Sequence, residues 1–314
     1  MAGDRGVKTA LDETRLLILG AQILFGFHLN AAFQPGFSRL TEGVHPLYAG
    51  AFCAMTVAVG LLIAPSMQHL LVEQGRSSQR ILQATTWLAG LSLLPIALSL
   101  GSDLAIVMGY RFETIVGMST GVIAAALALF LWYGVAWMVR KPIGKGGIME
   151  GPTSIDVRIE HMLTEARVLL PGAQALFGFQ MAILLTDAFA ELPSVSKGLH
   201  GAALCWIALA IILLMSPAAF HRIAFEGQNS ERFYRVGARF VVVSAIPLAI
   251  GITFDLHVAL ARALDSWVAG ALIAVAIGII LVFLWFIQPL LIRATDRRKP
   301  KDALPEHARV VAGE

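Results

Sequence analysis

The sequence predicts an all-α, polytopic integral membrane protein: eight transmembrane helices arranged as two parallel, non-inverted four-helix repeats. Three observations predict it. The 314 residues are 57% hydrophobic and only 14% charged, where a soluble domain carries about 25% charged residues. The apolar letters come in blocks of roughly 20, the length a helix needs to cross a hydrocarbon core. Finally, residues 11–27, LDETRLLILGAQILFGF, return at 163–179 as LTEARVLLPGAQALFGF.

The blocks fall at about 16–36, 46–65, 81–101 and 114–139, then 168–188, 198–217, 236–254 and 267–292. In lipid each backbone polar group must be satisfied within its own segment, so such blocks are helices. Short alternating strands of the barrel kind are absent from the sequence. The first block is expected to be retained and not cleaved, because its copy sits in mid-chain. Ser92 and Pro95, with Ser244 and Pro247, predict kinks in the third and seventh helices, with Pro95 and Pro247 as candidate hinges. Asp103 and Asp255 are expected to close those helices on the outer side. Residues 140–166 form the boundary: RKPIGKGGIMEGP is turn-rich, and Thr153 or Ser154 should cap a short amphipathic helix along the inner surface. The domains are then 1–145, 146–295 and a disordered cytoplasmic tail over 296–314. Cys53 and Cys205 lie in apolar helices and suggest neither a disulfide framework nor a metal site.

An offset of 152 positions superposes the halves without a gap from Glu13 on Glu165 to Asp103 on Asp255, through Arg15–Arg167, Gln22–Gln174, Cys53–Cys205, Pro65–Pro217 and His69–His221. Matched Gln, His, Pro and Arg in one register mark an internal duplication. Four helices per unit is an even number, so both copies insert the same way round. Of the 24 lysines and arginines, only Arg39, Arg111, Lys197 and Arg262 fall in odd-numbered connections. That bias places both termini in the cytoplasm. It also explains a pI near 9 without nucleic acid as a partner. The expected surroundings are membrane lipids, and a homo-oligomer is compatible with the sequence.

The run E-[TA]-R-x-L-x-x-G-A-Q-x-L-F-G-F, followed by APSMQH or SPAAFHR after the second helix, resembles a bacterial family of small four-helix membrane proteins of unknown function. Some of its members carry the label of sodium:proton antiporter. The resemblance covers most of each half, at Glu13, Arg15, Gln22, Phe25, Pro65 and His69, and at Glu165, Arg167, Gln174, Phe177, Pro217, His221 and Arg222. It implies a tandem fusion of two units in a bacterial inner membrane.

Candidate polar residues pair across the repeat. Arg15, Gln22 and Gly26 share one helix face, and the same face recurs as Arg167, Gln174 and Gly178. This is either a packing seam or the lining of a path for protons or small ions. Gln22, Gln174, His28, Glu13, Arg15, Glu165 and Arg167 are the candidate path residues. His69 and His221 form a candidate proton-sensing pair, or axial ligands of a haem. His28 is the ionisable group deepest in a span, and such groups point to function. No Asp or Glu is expected in the middle of a span, which argues against cation exchange. No catalytic, metal or cofactor motif appears. Transport leads; a non-transporting scaffold is the alternative, and a bis-histidine haem protein the third reading.

Overall fold

A computed structural model describes residues 2–139 and 153–298. Every regular element among them is helical. The first half contains α1 (Ala2–Ala31), α2 (Val44–Leu71), α3 (Gln79–Arg111) and α4 (Thr114–Leu129), the last continuing through a π turn, Phe130–Gly134, into α5 (Val135–Val139). The second half contains α6 (Ile155–Ile183), a short α7 (Asp187–Ala190), α8 (Ser194–Ile223), α9 (Glu231–Ala263) and α10 (Trp267–Val282). Here too a π turn, Phe283–Ile287, leads into α11 (Gln288–Arg298). The tail from 299 onward and the linker 140–152 lie outside the described residues.

The same local chemistry shapes both halves. Ser78 and Ser230 cap α3 and α9 by accepting the amide protons of Ile81 and Phe233, each satisfying an orphan donor of a first turn. The preceding turns are also copies: Gln74–Gly75 and Glu226–Gly227 both adopt positive φ. There the Gly75 and Gly227 amides donate back to the carbonyls of His69 and His221 at 3.1 and 2.8 Å, closing helices in the left-handed manner glycine allows. Ser154 caps α6. The amphipathic stretch expected along the inner surface continues without a break into the fifth predicted span as α6, and it buries Arg158, His161, Met162 and Glu165.

Six described helices are long and apolar enough to cross a membrane: α2, α3, α4 with α5, α8, α9, and α10 with α11. The other two predicted spans, on α1 and α6, carry more polar side chains. These two helices pack on each other. Arg15 meets Glu165, Gln22 lies against Gly172, and Phe27 packs on Phe179 with ring centroids 4.9 Å apart. The order of these contacts runs the same way along both helices.

Around that seam the halves do not pack equivalently. α2 also reaches α9, α10 and the second π turn and is buried along most of its length. Its counterpart α8 packs chiefly on α6 and α9 and buries far fewer of its residues. One substitution between the copies explains part of this. A Cβ on Gly60 would come 2.6 Å from Leu281 Cδ2, so glycine admits the last helix there. The Trp285 indole then donates to the Gly60 carbonyl at 2.9 Å. The residue matching Gly60 is Ile212, which is exposed and offers no such approach.

Candidate functional site

Two sets of buried polar side chains stand out, one at each end of the α1–α6 seam. At the end near the α2–α3 turn, Glu165 is 1% exposed. Its Oε2 accepts the Ser66 hydroxyl at 2.5 Å. Arg15 lies 3.7 Å from Oε1 and His69 Nδ1 3.6 Å from the same oxygen, and the His161 ring is 5.4 Å from that of His69. Glu165 and His161 precede the predicted span 168–188. Burial pushes the Glu165 carboxyl up, but the His69 imidazole, the Arg15 guanidinium and the Ser66 hydroxyl outweigh it, and the group titrates below its usual range. Burial, reinforced by His69, holds His161 below the ordinary histidine value against the opposing pull of Glu165. A carboxylate and a guanidinium thus form a cross-repeat pair beside two imidazoles.

The expected symmetry of this end is not observed. Arg15, Gln22 and Glu165 face inward, while Glu13, Arg167, Gln174 and Gly178 are exposed. Contacts between α1 and α6 join residues offset by 150 at Arg15–Glu165 and Gln22–Gly172, whereas Phe27–Phe179 keeps the 152 of the repeat. Two residues are more than half a helical turn, so at the Glu165 end α6 presents a different face from α1. The two histidines separate likewise. His69 is fully buried, whereas His221 is half-buried and stacks on Phe233 at 4.4 Å. The pair therefore lacks the common environment that joint proton sensing or haem ligation assumed. Among the described residues no three His, Cys, Asp or Glu side chains group as metal ligands. Pro95 and Pro247 lie inside unbroken helices. Their serines donate to the carbonyls of Ala89 and Val241, both at 2.7 Å, not to those the prolines free.

The opposite end holds residues the sequence argument missed. Asp103 and Asp255 do not close their helices. α3 runs on to Arg111 and α9 to Ala263, two turns further, and Asp255 is fully buried. A carboxylate therefore does sit inside an apolar helix, and the objection to cation exchange drawn from its absence falls. In the second half His200 Nδ1 lies 2.8 Å from Asp255 Oδ1, and His200 Nε2 lies 3.1 Å from the Gln180 carbonyl. The Gln180 amide donates to the other Asp255 oxygen. In the first half His28 Nε2 lies 3.0 Å from Asp103 Oδ1, and its Nδ1 2.9 Å from the Leu24 carbonyl. Tyr48 donates to the His28 carbonyl at 2.6 Å, and Ser99 Oγ is 3.2 Å from His28 Nε2. Tyr48 matches His200, and His28 matches Gln180. The aspartate stays in place while the imidazole changes helix.

In the second half the Gln180 carbonyl can only accept, so His200 Nε2 carries a proton, and the contact of Nδ1 with Asp255 also needs one, on nitrogen or on oxygen. In the first half His28 Nε2 lies between Asp103 and the Ser99 hydroxyl, which can donate to it.

A model of a family of unknown function (DUF6328) matches residues 2–139 and again residues 152–289. The chain belongs to this family. It contains the family's unit twice, and the two matches correspond to the two halves described above. No curated protein and no solved structure matches the chain.

Proposed function

We propose that this chain is an integral membrane protein of eight spans, two family units side by side in the same orientation with both termini cytoplasmic, and that it handles protons within the bilayer. The observation that carries this reading is the pair of His–Asp centres, each with both ring nitrogens facing acceptors and with its aspartate inside a helix of membrane-spanning length and apolarity, α3 or α9. Ionisable groups at such depth are costly to keep and mark proton or ion pathways. On α1, Arg15, Gln22 and His28 are all buried. The rise of a helix spaces them about 10 and about 9 Å apart, so polar stations recur from the Glu165 cluster to the His28–Asp103 pair. Basic residues gathered in even-numbered connections support the orientation, and the same-direction contacts of α1 and α6 support the non-inverted arrangement. A bacterial inner membrane follows from the family resemblance.

The test is proton flux in proteoliposomes loaded with a pH dye, driven by a potassium diffusion potential. The expected result is acidification that Asp255→Asn and Glu165→Gln each slow by about tenfold, the effect of about 1.4 kcal/mol on a barrier. Folded protein giving no flux under any gradient would overturn the reading. It would favour the alternative, a non-transporting scaffold, for which the closed Arg15–Glu165 contact across the repeats is the supporting observation.

A further inference from the structure

The two His–Asp centres are copies, yet they differ in what surrounds them. Beside His28 and Asp103 lies a cavity of about 360 Å³ between α1, α2, α3 and the α1–α2 connection, walled by Leu24, Phe37, Ile106 and Val107. Asp103 is one-third exposed towards it, and Phe27, Val107 and Tyr110 at its rim are more than half exposed. In the second half the equivalent space is filled. Ile183, fully buried, stands where the first half has Ala31, and Asp255 is fully buried where Asp103 is one-third exposed. Arg262 stands where the first half has Tyr110, and its Nε donates to the Ala32 carbonyl at 2.9 Å, tying that corner to the end of α1. The fold therefore does not require the cavity; the second copy closes it with ordinary side chains.

We infer that the first-half cavity is a binding site for a neutral lipid-phase amphiphile: a long apolar body with a hydroxyl head donating to Asp103 beside His28. The inference rests on the membrane placement proposed above. Three features select this class. The volume lies within the range of small-ligand pockets, about 300–1,000 Å³. The wall is apolar, and its rim opens sideways among exposed apolar side chains, where the hydrocarbon phase would be. The polar contact is the Asp103 carboxylate beside His28, partly exposed and able to accept from a hydroxyl donor, and the lining holds no lysine or arginine to meet an anionic head. An unsatisfied acceptor in such a wall rejects analogues that cannot donate.

The test uses the full chain in lipid vesicles and a long-chain alcohol bearing a photoreactive diazirine, with adducts mapped by mass spectrometry. Saturable labelling is expected at Leu24, Phe27 or Val107, and dodecanol should displace it about tenfold better than its methyl ether. Ala31→Ile, which installs the residue the second half already accommodates, should reduce labelling by about tenfold. Asp103→Asn should erase the preference for alcohol over ether. Labelling that does not saturate, or that matches the exposed face of α4 at Ile123, would overturn the inference, as would insensitivity to Ala31→Ile. The same vesicles can be assayed for proton flux: flux lost with labelling intact sinks the proton reading alone, and labelling lost with flux intact sinks this one.

Discussion

Removing the Arg15 guanidinium should expose how strongly the repeats are coupled. The Arg15 and Glu165 side chains are 8% and 1% exposed at 3.7 Å. Deleting one partner of a buried pair typically costs about 3–5 kcal/mol, because the remaining charge is left uncompensated. Arg15→Met should therefore destabilise by about 3 kcal/mol, the lower end, since Ser66 and His69 still contact Glu165. Glu165→Gln keeps the shape and the Ser66 contact and should cost less. Contacting buried residues show interaction energies of about 0.5–3 kcal/mol in a double-mutant cycle, and this one should lie near the upper end. Glu13→Gln with Arg167→Met is the internal control. The repeat makes these residues the counterparts of Glu165 and Arg15, but both are exposed, and surface changes stay within about 0.5 kcal/mol. The assay is reversible unfolding in mixed micelles titrated with a denaturing detergent. A coupling energy near zero for Arg15–Glu165, or equal costs for the two pairs, would refute the reasoning.

Three further outcomes are expected. Trp285→Phe removes the indole donor to the Gly60 carbonyl, which keeps its helical partner, the Ala64 amide, and should cost about 0.5–1.5 kcal/mol in the same unfolding assay, the net worth of one hydrogen bond; no change would mean the bond does not tie α2 to the last helix. Stability should fall on acidification. Both His161 and Glu165 are held below their usual values of 6.5 and 4.5, so the unfolded chain binds protons first. Their contribution is complete above those values and is lost as pH falls, first below 6.5 and then below 4.5. Melts at stepped pH check this, and a protein that gains stability in acid contradicts it. Cysteines replacing Phe27 and Phe179 should form a disulfide on mild oxidation, because those rings are in contact; failure to cross-link would argue against the same-direction pairing of α1 and α6.

Much of the fold was legible because it is written locally. Apolar block length and the Ser154 cap are both set by the chain's own local letters. What could not be read was which copy of a duplicated residue turns inward. An offset in sequence carries no information about helix rotation, and at its Glu165 end the α1–α6 seam is rotated away from the symmetric arrangement, while the equivalent Phe27 and Phe179 still meet at the other end. Thus Gln22 is buried against Gly172 while Gln174 is exposed. Gly60 against Ile212 was a visible sign of unequal packing, but its meaning depends on Leu281 and Trp285, more than two hundred residues away. The His–Asp centres left a fainter trace. Asp103 and Asp255 superpose while His28 faces Gln180 and Tyr48 faces His200, so neither histidine matches a histidine. The stretch LHVALARA after Asp255 has no helix breaker, and α9 continues through it.

The duplicated halves join unequally, bringing Glu165, Arg15 and Gln22 inside and leaving their counterparts Glu13, Arg167 and Gln174 outside. Cysteine accessibility at Gln22 and Gln174 tests it most directly, in a chain with Cys53 and Cys205 replaced by alanine and exposed to a membrane-permeant maleimide. Gln174→Cys should label readily and Gln22→Cys should be protected until the protein is unfolded. Equal labelling of the two positions would contradict it.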